Sequence, residues 1–198
     1  AYGKLRRYLL GDQLDSVMNY PFAAAVLRFV KGGTAEAFAD SVMHIVENYP
    51  PCVLHELMNH IGTHDTQRAI TYLASPDAAG KDRAWQHEHN TLGDAAYLKG
   101  DSMLKTASLL QFTLPGVPSI YYGDEAGMQG MKDPFNRACF PWDHINKELY
   151  RWYKRLGEIR HGCAAFKEGE FQIVYAKGGV LAYTRSGSEN SVLTACLL

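Results

Sequence analysis

Apolar residues recur along this chain in two patterns, at helical spacing and in short continuous runs. Helical spacing over residues 22–30 and 38–49 predicts two amphipathic helices. Gly32-Gly33 separates them, Thr34 is expected to cap the second, and Pro50-Pro51 is expected to end it. Later helices are predicted over 66–73 and 101–113, and a fifth follows Asn146, because Leu149 and Leu156 share one face there.

Short apolar runs between these helices indicate strands. Residues 14–20 alternate weakly, 54–61 form a mostly apolar run, and 117–122 form a continuous one. Polar loops are expected over 75–89 and 123–142. Strands that alternate with helices are typical of a parallel sheet or a barrel.

The pattern changes at the end of the chain. Over 169–198, three apolar stretches are separated by Gly-Gly and Gly-Ser-Glu-Asn turns, which indicates antiparallel strands. We therefore place a domain boundary near Glu168, dividing the chain into units 1–168 and 169–198.

Composition narrows the function classes. Of 198 residues, 46% are hydrophobic and 21% charged, which is typical of a globular protein, and the net charge of −1 gives no basic surface for nucleic acid or anionic membranes. No signal peptide or membrane-spanning run is visible. The four cysteines lack zinc-ligand spacing and are expected to be reduced and buried, which favours a cytoplasmic location. Because the chain begins Ala-Tyr-Gly and stops inside an apolar run, we expect a piece of a longer protein.

His64-Asp65-Thr66 directly follows the apolar run 54–61. In parallel α/β sheets and barrels, the carboxyl ends of strands carry the chemistry, so His64 and Asp65 are candidate site residues. The alternative, slightly favoured by spacing alone, is that Asp65 caps the next helix and His64 is a packed histidine. His60 and His64 lack a third ligand, so we expect no metal and no cofactor.

The segments NHIGTHDT, GVPSIYYGDEAGM and DPFNR, in this order, resemble the later part of the catalytic barrel of the α-amylase superfamily, glycoside hydrolase family thirteen. Within it, the chain is most similar to the neopullulanase, cyclomaltodextrinase and maltogenic amylase group. The resemblance implies an α/β fold, the sixth to eighth strands and helices of a (β/α)8 TIM barrel. Residues 14–20 would be the sixth strand, the seventh would end at His64-Asp65, and 119–122 would be the eighth.

The resemblance also implies roles. Asp65 would be the third catalytic carboxylate, a transition-state stabiliser, and His64 would bind the same sugar. Asp133 and Arg137 would contact sugar hydroxyls one subsite further on, although a local ion pair that pins the loop is an equal alternative. Tyr20 would line the cleft or lie in the core. The substrate would be an α-1,4 glucan oligosaccharide, with α-1,6 linkages as a further option, or a cyclodextrin.

The chain departs from the family pattern in one respect. The Arg-x-Asp motif with the nucleophile and the Glu that acts as general acid do not occur in it, so we expect no hydrolysis by this chain alone. The alternatives are a non-catalytic carbohydrate-binding or structural fragment and a metal hydrolase. Because three strands cannot close a barrel, we expect pairing with the missing N-terminal half or self-association.

Overall fold

The computed structural model describes residues 6–76 and 78–198. Residues 1–5 and Asp77 of the predicted first unit lie outside this part. The elements of the barrel-like part are α1 (Tyr20–Val30), α2 (Ala35–Asn48), α3 (Pro51–Leu54), β1 (Met58–Asn59), α4 (Ala69–Ala74), α5 (Arg83–Glu88), α6 (Asp94–Thr113), β2 (Val117–Pro118) and α7 (Lys147–Gly162). They are followed by α8 (Ala165–Glu168), β3 (Glu170–Lys177), β4 (Val180–Ser186) and β5 (Ser191–Leu197). Short 3-10 turns lie at Arg6–Leu9 and Phe135–Arg137.

Three chain segments lie side by side in parallel. β1 pairs with β2 so that Met58 lies opposite Val117, and on the other side of β1 a single bridge joins Met18 to Met58. The helices that follow these segments pack around them, as expected for alternating strands and helices. The parallel arrangement predicted from the sequence is therefore present.

The predicted strands are much shorter in the structure. Segment 14–20 is reduced to the Met18 bridge, because Asn19 already caps α1 through its side chain. The prediction of one strand over 54–61 is wrong, since Pro51 begins the extra helical turn α3 and only Met58–Asn59 is strand. Segment 119–122 is not a strand either, because residues 119–121 after β2 are irregular and a turn begins at Tyr122.

Buried amide side chains join the three segments where strand pairing is short. The Asn19 side-chain amide donates to Asn59 Oδ1 at 3.0 Å, and Asn59 Nδ2 donates to the Pro115 carbonyl at 2.7 Å. Gln111 Nε2 donates to the carbonyls of Asn59 and Ser119, each at 2.9 Å. These bonds satisfy buried backbone and amide groups that a longer sheet would pair through its backbone.

The helices differ from the predictions mainly at their starts. α1 and α2 agree, and α2 is capped by Thr34 as expected. α6 begins at Asp94, earlier than predicted, because the residues before its apolar stripe are good helix formers. α4 begins at Ala69 rather than 66, and the predicted loop 75–89 contains α5, capped by Asp82.

The C-terminal strands form an antiparallel sheet in the order β3-β4-β5, as predicted. Arg185 of β4 donates to the carbonyls of Thr113 and Gly169, and the Tyr183 hydroxyl lies 2.5 Å from Thr113 Oγ1. Tyr183 and Leu181 belong to the same hydrophobic core as the helices. The core is thus continuous across the predicted boundary at Glu168, and the division into two units stays a prediction.

Asn59→Leu tests the role of the buried amides. Leucine has nearly the same size but leaves the Asn19 amide and the Pro115 carbonyl without partners. We expect the free energy of unfolding to fall by roughly 2–4 kcal/mol, measured by urea denaturation. Gln172→Leu, at an exposed position on β3, is the control and should change stability little. Equal small losses in both variants would contradict the assignment.

Candidate active site

The turn that follows β1 carries the candidate residues. His64 and Asp65 lie at the carboxyl end of β1, next to the end of β2. Asp65 Oδ1 lies 3.3 Å from His64 Nε2, and the Tyr20 hydroxyl donates to Asp65 Oδ2 at 3.4 Å. The side chains of His64 and Asp65 are 55% and 58% exposed. Asp65 is therefore oriented on both oxygens and still open to a ligand.

The structure excludes the alternative reading of this pair. Asp65 does not cap the next helix, because α4 begins four residues later at Ala69 and its N-cap position is Arg68. His64 is exposed rather than packed. Tyr20 is half exposed at the first position of α1, where its hydroxyl reaches Asp65. The structure thus brings Tyr20, His64 and Asp65 together.

Asn136 holds the turn from the opposite side. Its buried side-chain amide donates to the carbonyls of His64 at 2.8 Å and Thr66 at 2.7 Å, and more weakly to Thr63 at 3.4 Å. A single amide that serves three carbonyls restrains the backbone on which Asp65 stands.

Arg137 and Asp133 form the predicted local pair. Arg137 Nε lies 3.1 Å from Asp133 Oδ1, and Arg137 Nη2 donates to the His64 carbonyl at 3.1 Å. Both side chains are about half exposed. The pair pins its own loop to the turn while leaving one face toward solvent, so both predicted roles fit this geometry.

A buried ion pair lies beneath the turn. Arg68 Nη1 lies 3.4 Å from Asp124 Oδ1 and also donates to the Tyr122 carbonyl. The guanidinium carbon is 4.2 Å and 4.6 Å from the ring centroids of Tyr121 and Tyr122. Burial raises the pKa of the Asp124 carboxyl to about 7, against the opposing effect of Arg68. Glu125 Oε2 accepts a hydrogen bond from the Gly123 amide at 2.8 Å, within the loop that follows β2.

His60 is buried below Tyr20. The two rings meet edge to face with centroids 4.7 Å apart, and His60 Nε2 has no hydrogen-bond partner. Burial lowers the pKa of His60 to about 4. His60 therefore supports the ring of Tyr20 and does not share a ligand position with the exposed His64.

A cleft of about 390 Å³ adjoins Asp65. Its polar lining includes Tyr20, Arg28, Gln67 and Lys132. Among the described residues, no group of three or more His, Cys, Asp or Glu side chains is placed to hold a metal, and no helix is long and apolar enough to cross a membrane. The four cysteines are free, and two of them are exposed rather than buried as expected: Cys52 and Cys139.

The sequence of this chain matches a known protein family. The family model described as "Alpha amylase, catalytic domain" matches residues 2–154, most of the chain. The chain belongs to the alpha-amylase family. Its membership confirms the resemblance carried by the His64-Asp65 turn and the segments around β2.

Relatives of this alpha-amylase chain are hydrolases by name. It is 37% identical over 189 residues to an amylopullulanase of Thermoanaerobacter thermohydrosulfuricus, covering 89% of this chain and 12% of the relative. It is 36% identical over 192 residues to a cyclomaltodextrinase of Geobacillus thermopakistaniensis, covering 94% and 29%. The chain therefore spans less than a third of the length of these curated relatives.

A solved structure extends the comparison to the fold. The cyclic α-maltosyl-(1→6)-maltose hydrolase of Arthrobacter globiformis, in complex with that sugar, superposes with a TM-score of 0.79 at 27% identity, covering 96% of this chain and 39% of that one. This alpha-amylase chain thus shares its fold with part of a sugar-bound hydrolase.

Sequence reasoning missed the residues that hold the site in place. Asn136 lies between Asp133 and Arg137 in DPFNR, so its position in the motif was the available signal. Arg68 is a charged residue directly before an apolar helix, and Asp124 follows an apolar run after the single residue Gly123. Charged residues at such junctions are buried only when paired, which is the signal that could have identified them.

The buried His60 predicts a specific loss of stability in acid. Its folded pKa lies below the ordinary value of 6.5, so between pH 6.5 and about 4 the unfolded chain binds a proton that the folded chain does not. From pH 7 to pH 5 this lowers the free energy of unfolding by roughly 2 kcal/mol. In His60→Gln this contribution should disappear, which urea denaturation at both pH values can measure.

At each pH, the free energy of unfolding of His60→Gln is compared with that of the unchanged chain. Contributions from other titrating groups are the same in both proteins and cancel in this difference. His161→Gln, at an exposed position on α7, is the matched control and should leave the pH dependence unchanged. A pH dependence that His60→Gln does not alter would contradict the assignment.

Proposed function

We propose that this chain supplies the third catalytic carboxylate and part of the sugar-binding surface of a retaining α-glucan hydrolase. Met18, β1 and β2 would mark the sixth, seventh and eighth strands of its barrel. The substrate class is an α-1,4-linked glucan oligosaccharide, with α-1,6 linkages or a cyclodextrin as further members.

The observation that carries this proposal is the oriented but open carboxylate of Asp65. Retaining glycoside hydrolases develop positive charge at the sugar ring in the transition state. A carboxylate held by His64 and Tyr20 is preorganised to accept hydrogen bonds from sugar hydroxyls beside the reacting carbon and to stabilise that charge. The imidazole of His64 offers a further hydrogen bond to the same sugar.

Arg137 and Asp133 support a neighbouring sugar position. Arg137 uses Nε and Nη2 for Asp133 and the His64 carbonyl, which fixes the guanidinium plane next to Asp65. A fixed, half-exposed guanidinium and carboxylate can bind sugar hydroxyls without first being ordered, which lowers the entropic cost of binding.

Catalysis needs groups that this chain does not carry. A retaining hydrolase uses a nucleophilic carboxylate and an acid about 5 Å apart. Asp65 and the buried Asp124 are not such a pair, because Asp124 lies in an ion pair beneath the turn and cannot reach a sugar. We therefore propose that the 198-residue chain binds glucan but does not hydrolyse it alone.

Asp65→Asn tests the proposed role of the carboxylate. The amide keeps the shape but loses the charge and one acceptor, so maltohexaose should bind about 10- to 100-fold more weakly, measured by isothermal titration calorimetry. Asp12→Asn, in an exposed loop, is the matched control and should bind normally. Unchanged affinity in Asp65→Asn would remove Asp65 from the site.

A hydrolysis assay on the same preparation tests whether this chain lacks the nucleophilic carboxylate and the general acid. We expect no release of reducing sugar from maltohexaose or pullulan by protein whose intact mass and native size match this chain alone. Turnover by such a sample would show that Asp65 is more than the third carboxylate. A chain that neither binds nor hydrolyses glucan would favour a structural role.

The parallel strands have an exposed apolar side that another protein segment could cover. Met58 and Val117, which lie opposite each other, are 38% and 40% exposed, and Ile120, two residues after β2, is 42% exposed. In the described residues, β2 pairs only with β1, which leaves its other edge free. We propose that the missing N-terminal half of the barrel covers this surface in the parent protein, and that isolated chains associate through it.

Val117→Lys tests this association. A lysine on the apolar surface should raise the dissociation constant of the self-associated chain by roughly tenfold or more without unfolding it, measured by analytical ultracentrifugation over a concentration series. Val174→Lys, at an exposed site on β3, is the control. A wild-type chain that stays monomeric at every concentration would contradict the proposal.

A further inference from the structure

The ion pair of Arg68 and Asp124 connects segments that are far apart in sequence. Arg68 stands three residues after Asp65, whereas Asp124 follows β2, 56 residues later. The Arg68 side chain also reaches the Tyr122 carbonyl, and its backbone amide donates to the Gly130 carbonyl at 2.9 Å. One residue thus fixes the end of the His64-Asp65 turn against the loop after β2.

The same contact extends to the loop that carries Arg137. The guanidinium of Arg68 lies over the ring of Tyr122, and the hydroxyl of Tyr122 donates to the Ala138 carbonyl at 2.8 Å. The chain of contacts therefore runs from the turn, through Arg68 and Tyr122, to the residue that follows Arg137. The contact between Arg68 and Tyr122 is a guanidinium–ring contact, and the contact between Tyr122 and Ala138 is a hydrogen bond.

Gly62 allows the close approach of Asp124 on which this arrangement depends. A Cβ atom at Gly62 would lie 2.4 Å from Asp124 Oδ2, so a side chain there would displace the carboxylate. The backbone that leads into the His64-Asp65 turn thus packs directly on Asp124.

Stability alone does not explain this pair. Arg68 Nε and Nη2 and Asp124 Oδ2 are buried without hydrogen-bond partners, so neither charge is fully compensated. Buried ion pairs of this kind can often be replaced by apolar residues with no loss of stability, and some instead specify a unique geometry. Arg68 Nη1 reaches a carbonyl and a carboxylate together, which an apolar side chain cannot do, and the planar guanidinium lies against the rings of Tyr121 and Tyr122.

We infer that Arg68 and Asp124 are positioning residues that hold the His64-Asp65 turn in register with the end of β2. They do not touch sugar, and their effect on sugar binding passes through the turn. The effect on sugar binding, unlike the positioning of the turn, rests on the proposed function.

The double variant Arg68→Met/Asp124→Leu tests this inference. Each single variant leaves one buried charge alone and should lower the melting temperature strongly or prevent folding. The double variant removes both charges and should keep a melting temperature close to that of the unchanged chain. Arg68→Lys keeps the charge but loses the planar group that lies over the rings of Tyr121 and Tyr122, so it should hold the turn only in part.

Hydrogen–deuterium exchange followed by mass spectrometry gives the decisive readout. In the double variant, peptides covering residues 60–68 and 119–128 should exchange about tenfold faster or more, while α6 exchanges as before. Maltohexaose should bind about tenfold more weakly. The exposed pair Arg155–Glu158 provides the matched control, Arg155→Met/Glu158→Leu, which should change neither.

The outcomes separate positioning from general stability. Faster exchange in α6 as well would make the pair an ordinary contributor to stability and overturn the inference, as would unchanged exchange in both site peptides. If the unchanged chain binds no maltohexaose, the proposed function fails, and the exchange pattern still decides whether the pair positions the turn.

Discussion

The structure depends on how three very short parallel segments are held together. β1 and β2 are two residues long, and the third segment contributes a single bridge. Backbone pairing over so few residues gives little stabilisation, so the buried amides of Asn19, Asn59 and Gln111 provide the remaining hydrogen bonds. Asn59 is the last residue of β1, and Asn19 directly follows the Met18 bridge. These amides therefore fix the carboxyl ends of the segments from which the candidate site is built.

The site is built on this frame in two layers. The outer layer is the exposed set of Tyr20, His64 and Asp65, whose side chains can contact a ligand. The inner layer is buried and consists of side chains that hold the turn: His60 below Tyr20, Asn136 on the backbone carbonyls, and the Arg68–Asp124 pair. Exposed groups provide the chemistry, and buried groups fix their geometry.

Membership of the alpha-amylase family and the geometry of Asp65 are independent grounds for the proposal that this chain carries part of a glucan-binding site. The family match rests on sequence over residues 2–154, whereas the orientation of Asp65 rests on contacts with residues 20 and 64. The open apolar side around Met58 and Val117 agrees with a chain that spans less than a third of the curated relatives compared above. Both observations support the proposal that further segments of the parent protein complete the site.

The sequence by itself determined the features that depend on neighbours along the chain. The cap of α7 at Asn146 and the antiparallel pattern of β3–β5 were readable from spacing. The role of the His64-Asp65 motif came from its place after an apolar run together with the family resemblance. Only the tertiary structure decided the short strands and the inner layer of the site. Asn136 and the His64 carbonyl are 72 positions apart, and Arg68 and Asp124 are 56 apart. Periodicity and capping act over a few residues, so no local pattern encodes which distant side chain fills a buried contact.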